Sequence, residues 1–372
     1  MSALYIHIPF CKHKCHYCNF FSTVSFKNKS LIVDAIITEI EQKRNYLDSN
    51  ILQTIYFGGG TPSILSENEI SVIFNKIHEI FTVSNDCEIT FEANPDDINH
   101  NKLKLFKSLG INRLSLGIQS FNDNILQQLN RSHTSSDAIN SVLLSKEHGF
   151  DNMNIDLIYG IPGLSDDIWK EELEKFLSFD IPHLSAYALT VEPKTALNVL
   201  INKKKYPPIN EDSVISHFNY LIEFLTLNNY NQYEISNFSK YGMESRHNCN
   251  YWKNLPYLGI GPSANSYNLV SRQWNHSSIT KYLESINKSE EYEEKEILSL
   301  DDQFNEYIML GLRTSFGIER DIIEKRFGIE YLEYVNNYVI VNNTKFISDL
   351  NIITLNPKNR MFADRIASDM FK

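Results

Sequence analysis

Three cysteines near the amino terminus have a spacing that suits an inorganic cofactor. Cys11, Cys15 and Cys18 form a C-x₃-C-x₂-C array directly after an apolar run that is typical of a β-strand. Iron–sulfur clusters are held by cysteine thiolates, and closely spaced cysteines are their usual mark in a sequence. Because a [4Fe–4S] cube has four irons, three thiolates would leave one iron open to an outside ligand. The array therefore predicts a cluster site with one open position.

A zinc site is the main alternative for the same residues. Structural zinc prefers four protein ligands, usually in paired C-x₂-C or cysteine–histidine groups. His13 and His16 lie within the array and could supply the fourth ligand. Three unrelated thiols are a further alternative, and the spacing alone leaves all of these open.

The elements that must position these cysteines alternate between strands and helices. Apolar and β-branched runs predict strands, and the segments between them have helical spacing. The predicted strands are 4–7, 54–57, 88–92, 113–117, 154–159 and 183–189. The predicted helices lie near 30–47, 67–81, 102–109, 137–149 and 166–179. Six strands joined by helical crossovers imply parallel βαβ units, too few for an eight-fold barrel.

Polar residues and glycines recur near the carboxyl ends of these strands. Cys11 follows the first strand, and glycines 58–60 follow the second. Glu92 ends the third strand, Gln119 follows the fourth, and Asp156 lies in the fifth. Ligands of parallel α/β sheets bind beyond the carboxyl ends of the strands. The pattern therefore predicts that these residues share one site.

Each of these residues also has a structural explanation. The glycine run could be a tight turn, because glycine allows positive φ and close backbone approach. It lacks the Lys-Ser/Thr pair of a phosphate-binding loop. Glu92 lies in an apolar strand, so it needs a partner, which could be an ion pair with Arg113 or Arg131. Gln119 and Asp156 have the same status as Glu92, since each could contact a ligand or serve only the structure.

Composition excludes several classes of protein. The 372 residues carry a net charge of −11, and no basic cluster is longer than 203–205, so nucleic acid is not an expected partner. No apolar stretch approaches the length of a membrane span, and the first residues lack the features of a signal peptide. Five cysteines, three of them clustered, suit a reducing compartment better than a disulfide framework. We therefore expect a cytoplasmic protein.

The cysteine array resembles the signature of the radical S-adenosylmethionine (SAM) superfamily, because an aromatic residue, Tyr17, precedes the third cysteine. The resemblance implies an α/β fold with an open, partial (β/α)₆ barrel. It also implies a [4Fe–4S] cluster on Cys11, Cys15 and Cys18, with SAM bound to the open iron. In such proteins the cofactor supplies the radical chemistry and the protein supplies binding and orientation.

Further motifs resemble the oxygen-independent coproporphyrinogen III oxidases and the related HemW-type haem chaperones. The motifs at 92–95, 116–121, 130–131 and 155–162 follow the order of this group. The resemblance assigns the following residues to SAM sites: Tyr5, Tyr17, Gly59, Gly60, Thr61, Glu92, Gln119, Arg131, Asp156 and Ala188. One or two SAM molecules are compatible with that assignment.

Three features favour the chaperones over the oxidases. The oxidases carry a fourth cysteine two residues after the third, where this chain has Phe20. They also carry an extension before the motif, whereas only four residues precede Tyr5 here. The run 247–252 matches the H-N-x-x-Y-W motif of the chaperones. The resemblance thus implies a protein that binds haem and passes it to a haem-requiring client, which could lie at a membrane. Oxidative decarboxylation of coproporphyrinogen III is the alternative function.

His247 is the candidate haem ligand within that motif, since histidine is the common proximal ligand of haem. A histidine that serves only the structure is the alternative, because tyrosine and tryptophan lie close to it in the sequence.

The carboxyl-terminal half predicts two further parts. We expect a radical SAM core at 1–205 and an extension and connecting region at 206–298. Within it, 228–275 is predicted to be loop-like and the acidic run 290–296 a solvated linker. Helical spacing and a late strand predict an α-rich, winged-helix-like domain at 299–372. Because the chain is acidic, we expect that domain to be a lid or docking surface rather than a DNA reader.

Overall fold

Six parallel strands form the centre of a computed structural model that describes residues 2–288 and 293–372. In chain order the strands are β1 Ser2–Ile8, β2 Ile51–Gly59, β3 Thr82–Ala93, β4 Arg113–Gln119, β5 Met153–Tyr159 and β6 His183–Ala188. The helices that connect them are α1 Lys29–Gln42, α2 Glu67–Ile80, α3 His100–Ser108, α4 Asp123–Gln128, α5 Ser135–Glu147 and α6 Asp166–Ser178. All six predicted strands are present, and α4 is an additional short helix that the sequence reasoning did not predict.

The same sheet continues on both sides of the six strands. Next to β1 come β9 Tyr257–Ile260, β10 Asn265–Tyr267, β11 Ser271–Asn275 and β12 Glu293–Ile297. Next to β6 come β8 Asn237–Ser239 and β7 Asn231–Gln232. The sheet is therefore open, with β9 parallel to β1 and the outer pairs antiparallel.

The prediction that 228–275 is loop-like was wrong. This segment contains five of the short strands and a helix, α9 Arg246–Trp252. The strands have two to five residues, and all but β9 are mostly polar, so they are too short to show an alternation of apolar residues. These strands form because β9 pairs with β1 and β8 pairs with β6, and the other strands pair with these in turn. No sequence pattern within the segment predicts them.

One apolar core extends beyond the predicted boundary at residue 205. Three helices cover or flank the sheet, α7 Ala196–Asn202, α8 Glu211–Leu227 and α10 Ile279–Lys288. Leu221 of α8 and Tyr282 of α10 belong to the same buried cluster as the barrel residues. The division into the parts 1–205 and 206–298 stays a prediction, since sheet and core are shared by both.

The inward face of the barrel is polar. Side chains alternate between the two faces of a strand, so residues two apart in β1 to β6 line the lumen. The strand register places Tyr5 beside Tyr56. It also places Glu92 beside Ser115 and Asp156 beside Ser185. The outward face carries the apolar residues that pack against the helices, as is usual for parallel sheets with covered faces.

The carboxyl-terminal part has a core of its own. Its elements are α11 Leu300–Leu312, β13 Ile318–Glu319, α12 Arg320–Phe327, α13 Ile329–Val341, β14 Phe346–Ser348, β15 Ile352–Leu355 and α14 Ala363–Ser368. The strands form a small antiparallel sheet in the order β13-β15-β14. Helices with such a hairpin agree with the predicted winged-helix-like domain. Residues 290–292 of the acidic run lie outside the described residues, and no described helix is long and apolar enough to cross a membrane.

Candidate functional site

The cysteine loop follows β1 and is held by its backbone from three sides. The N–H of Cys11 donates to the carbonyl of Thr23 at 3.0 Å. The N–H of His16 donates to the carbonyl of Leu129, at the end of α4, at 3.2 Å. The carbonyl of His16 accepts from the N–H of Leu197, in α7, at 2.8 Å. These contacts fix the loop at the carboxyl edge of the sheet, where the sequence predicts the site.

The three thiols are partly exposed, free of disulfides and hydrogen bonded by different groups. Thr61 donates its hydroxyl to the sulfur of Cys11 at 3.5 Å. Arg131 donates Nη1 to the sulfur of Cys15 at 3.3 Å. The backbone of Phe20 donates to the sulfur of Cys18, although burial raises the pKa of that thiol. Such donors suit sulfur that carries negative charge, as the thiolate ligands of a metal centre do.

The thiols do not converge as they would around a single ion. Within residues 2–288 and 293–372, no three His, Cys, Asp or Glu side chains are grouped closely enough to bind one metal ion. A zinc site needs that convergence. In a [4Fe–4S] cube each thiolate would bind a different iron, so its three ligands would stand farther apart than the ligands of one ion. The donor set therefore fits the predicted cluster on Cys11, Cys15 and Cys18.

The glycine run lies against the backbone that leads into the cysteine loop. The N–H of Gly60 donates to the carbonyl of Ile8 at 2.8 Å, and the N–H of Thr61 to that of Phe10 at 2.8 Å. A Cβ on Gly60 would lie 2.6 Å from the carbonyl oxygen of Phe10. Gly59 has φ of +103°, which favours glycine. Glycine is needed here for close approach, and the run borders the cysteine loop.

Glu92 is not part of an ion pair. Its carboxylate accepts the hydroxyl of Tyr56 at 2.8 Å. Burial, together with the nearby charge of Asp156, raises the pKa of Glu92 to about 7. Neither Arg113 nor Arg131 lies within ion-pair distance of it in the described structure. The ion-pair explanation for Glu92 is therefore wrong, and a half-buried carboxylate that accepts from the hydroxyl of Tyr56 and the backbone of Gly59 remains in the lumen.

Two more predicted residues lie on the neighbouring strands β4 and β5. Asp156 accepts from the side-chain amide of Asn154 at 2.8 Å, and burial raises its pKa. Gln119 ends β4 with φ of +69°, an unusual backbone for a residue other than glycine. Such conformations cluster at functional sites. Gln119 thus lies at the carboxyl end of β4, and Asp156 lies within the adjacent strand β5.

The remaining predicted SAM residues border the same region. The hydroxyl of Tyr5 lies 3.2 Å from Nδ1 of His7, and burial raises the pKa of Tyr5. Burial also raises the pKa of Tyr17, which lies between Cys15 and Cys18. Ala188 ends β6, so it too stands at the carboxyl edge of the sheet.

His247 is buried, and both of its ring nitrogens lie within hydrogen-bond distance of hydroxyl groups. The residue is fully buried in α9. Nδ1 lies 2.8 Å from the hydroxyl of Thr54, and Nε2 lies 2.8 Å from the hydroxyl of Tyr251. The ring also packs on Tyr56 at 5.0 Å between centroids, and burial lowers its pKa to about 3. These contacts favour the structural explanation, and the haem role of His247 stays a prediction.

The sequence did not predict an ion pair between Lys12 of the cysteine loop and two aspartates after β3. The Nζ of Lys12 lies 2.9 Å from Oδ2 of Asp96 and also pairs with Asp97. Asp97 in turn accepts the hydroxyl of Ser63, just after the glycine run, at 2.6 Å. The pair links the loops after β1, β2 and β3. The only signal in the sequence was the adjacent Asp-Asp after Pro95.

Comparison with known proteins agrees with this arrangement. The model of the radical SAM superfamily matches residues 5–176. The heme chaperone HemW of Bacillus subtilis (strain 168) is 36% identical over 340 residues, which cover 88% of this chain and 87% of that protein. HemW of Lactococcus lactis (strain IL1403) is 34% identical over 357 residues, which cover 93% and 92%. The chain belongs to the HemW family of radical SAM proteins. The predicted resemblance is thereby confirmed.

A solved structure extends the agreement to the fold. Coproporphyrinogen III oxidase (HemN) of Escherichia coli, described as a radical SAM enzyme, superposes with a TM-score of 0.87. The match covers 100% of this chain and 90% of that one, at 22% identity. Membership of the HemW family, together with this likeness, confirms the predicted partial barrel with its winged-helix-like addition. The radical SAM family also implies a [4Fe–4S] cluster and SAM.

Proposed function

We propose that this protein is a haem chaperone that carries a [4Fe–4S] cluster and binds SAM. The observation that carries the proposal is the set of free, hydrogen-bonded thiols on one loop, in a chain similar over most of its length to heme chaperones. Cys11, Cys15 and Cys18 would hold three irons of the cluster, and the open iron would take SAM. When bound and reduced, the cluster would supply the electron that cleaves SAM.

The residues around the lumen would bind and orient SAM. Glu92 would accept hydrogen bonds from ribose hydroxyls, which would compete with Tyr56 for its carboxylate. The backbone of the glycine run would approach the methionine end of SAM, because its three residues carry no side chains of their own. We assign the other contacts to the residues that border this region: Tyr5, Tyr17, Gln119, Arg131, Asp156 and Ala188.

Haem binding and delivery form the second half of the proposal. Phe20 stands where the oxidases have a fourth cysteine, and its side chain is 71% exposed. This position therefore presents an apolar ring and no thiol. We propose that haem is passed to a haem-requiring client in the cytoplasm or at the inner face of a membrane. His247 remains the candidate ligand only if haem binding displaces Thr54 or Tyr251.

The test compares two cysteine variants of the full chain after anaerobic reconstitution with iron and sulfide. Cys15→Ser should lose the visible absorbance of the cluster. Cys249→Ser is the matched control, because Cys249 is buried in α9 outside the loop and should keep it. The wild-type protein should then bind haem in a saturable titration and transfer it to an apo-haem protein. A normal cluster in Cys15→Ser, or a wild-type protein that does not bind haem, would contradict the proposal.

A further inference from the structure

The sulfur of Cys15 accepts its hydrogen bond from a cation. Nη1 of Arg131 lies 3.3 Å from this sulfur. The sulfur of Cys11, by contrast, accepts from the neutral hydroxyl of Thr61 at 3.5 Å. Hydrogen bonds from ionised donors are roughly twice as strong as those between neutral groups. The cysteine loop is therefore electrostatically asymmetric, with the charged donor on its middle cysteine.

The guanidinium is fixed in this orientation by its second amino group. Nη2 of Arg131 donates to Oδ1 of Asn94 at 2.9 Å and to the carbonyl of Gly117 at 2.6 Å. The side-chain amide of Asn94 donates in turn to the hydroxyl of Thr61 at 3.5 Å. One asparagine thus connects the two donors that reach the two sulfurs. A planar guanidinium held at two points loses little freedom when its third contact forms.

Arg131 keeps its charge although it is largely enclosed. A guanidinium stays protonated in proteins, so its contacts with Cys15, Asn94 and Gly117 are made by a cation. Lys14, another cation of the same loop, is placed differently. Its Nζ donates to the carbonyl and hydroxyl oxygens of Phe20 and Ser22, and not to a sulfur. Arg131 contacts a cysteine sulfur directly, whereas Lys14 is a nearby cation that does not. A comparison of variants at these two positions therefore distinguishes the effect of a direct hydrogen bond from the effect of nearby positive charge.

We infer that Arg131 raises the reduction potential of the cluster through its charged hydrogen bond to Cys15. This inference rests on the proposed function, because it requires the cluster. One-electron reduction by an external reductant adds negative charge to the cluster and its thiolates. Arg131 stabilises that added charge, so the reduced form is favoured relative to a site without the cation. Hydrogen bonds to the sulfurs and net charge are among the factors that set such potentials.

The test is an anaerobic redox titration of the reconstituted full chain, followed by electron paramagnetic resonance. Arg131→Met should shift the midpoint potential to more negative values than in the wild type. Arg131→Lys, which keeps the charge, should shift it less. Lys14→Met is the matched control and should cause a smaller shift than Arg131→Met. Iron content, measured on each sample, ensures that only loaded protein is compared.

Asn94→Ala covers the case in which Arg131→Met does not retain a cluster. This variant keeps the cation and removes one of its supports, so a smaller negative shift is expected. Midpoint potentials equal to that of the wild type in every loaded variant of Arg131 and Asn94 would overturn the inference. A shift in Lys14→Met as large as that in Arg131→Met would also overturn it. If the wild-type protein assembles no cluster, the proposed function itself fails.

Discussion

Replacing Glu39 by glutamine should remove a pH-dependent part of the free energy of unfolding. Glu39 is fully buried in α1. Its carboxylate accepts the backbone N–H of Gly261 at 2.8 Å, the side-chain amide of Asn275 at 2.7 Å and the hydroxyl of Tyr282. These contacts join α1 to the strands beside β1, which carries the cysteine loop. Burial raises the pKa of Glu39 to about 7 despite these hydrogen bonds.

The sign and size of the effect follow from that pKa. The folded protein holds the proton of Glu39 with a pKa of about 7, against an ordinary value of 4.5. The folded state therefore binds this proton more tightly than the unfolded state does. The contribution of Glu39 to stability is greatest below pH 4.5 and is lost as the pH rises towards and through 7. At 1.36 kcal/mol per pH unit, the loss amounts to at most ~3 kcal/mol.

The assay is urea unfolding of the full chain at pH 5, 6, 7 and 8, under anaerobic conditions with equal cluster loading. The difference in unfolding free energy between wild type and Glu39→Gln should fall as the pH rises, by up to ~3 kcal/mol. Asp34→Asn, an exposed change in the same helix, should show no such trend. Parallel pH profiles for wild type and Glu39→Gln would refute the reasoning.

Three further predictions concern the surroundings of the cysteine loop. Lys12→Met and Asp97→Asn should show a coupling of about 0.5–1 kcal/mol in a double-mutant cycle by urea unfolding, and additive effects would contradict the ion pair. His247→Ala should lower the unfolding free energy by about 2–4 kcal/mol and leave the haem spectrum unchanged. Loss of the haem spectrum at normal stability would instead make His247 a haem ligand. Gly60→Ala should lower the iron content after reconstitution, because its Cβ would push against Phe10, and normal iron content would exclude that contact.

The barrel strands were predictable because their outward faces carry apolar residues that pack against the helices. The buried half of β3 is an example, since Cys87, Ile89 and Phe91 alternate with polar residues. Its first half, from Thr82 to Asp86, is polar and partly exposed and was not predicted. That half is ordered partly by pairing of Thr82 and Val83 with β2, which the local sequence does not encode. The strands within 228–275 were missed for the same reason.

The positions of the candidate residues on the strands were predictable, whereas their contacts were not. The sequence predicts Glu92 near the end of the third strand and Asp156 within the fifth, and both lie there. The partner of Glu92, however, is Tyr56 and not an arginine, because strand register brings the tyrosine to it. The contact between Arg131 and Cys15 joins residues 116 positions apart. Contacts of this kind depend on how the strands and loops pack, so spacing alone could not reveal them.

Product analysis by mass spectrometry tests the central claim most directly. The anaerobically reconstituted protein would be incubated with SAM, a reductant and coproporphyrinogen III. The account predicts an intact cluster, no turnover to protoporphyrinogen, and saturable haem binding by the same sample. Protoporphyrinogen formed over many turnovers would contradict the chaperone proposal and make the protein a decarboxylating oxidase with Phe20 in place of the fourth cysteine.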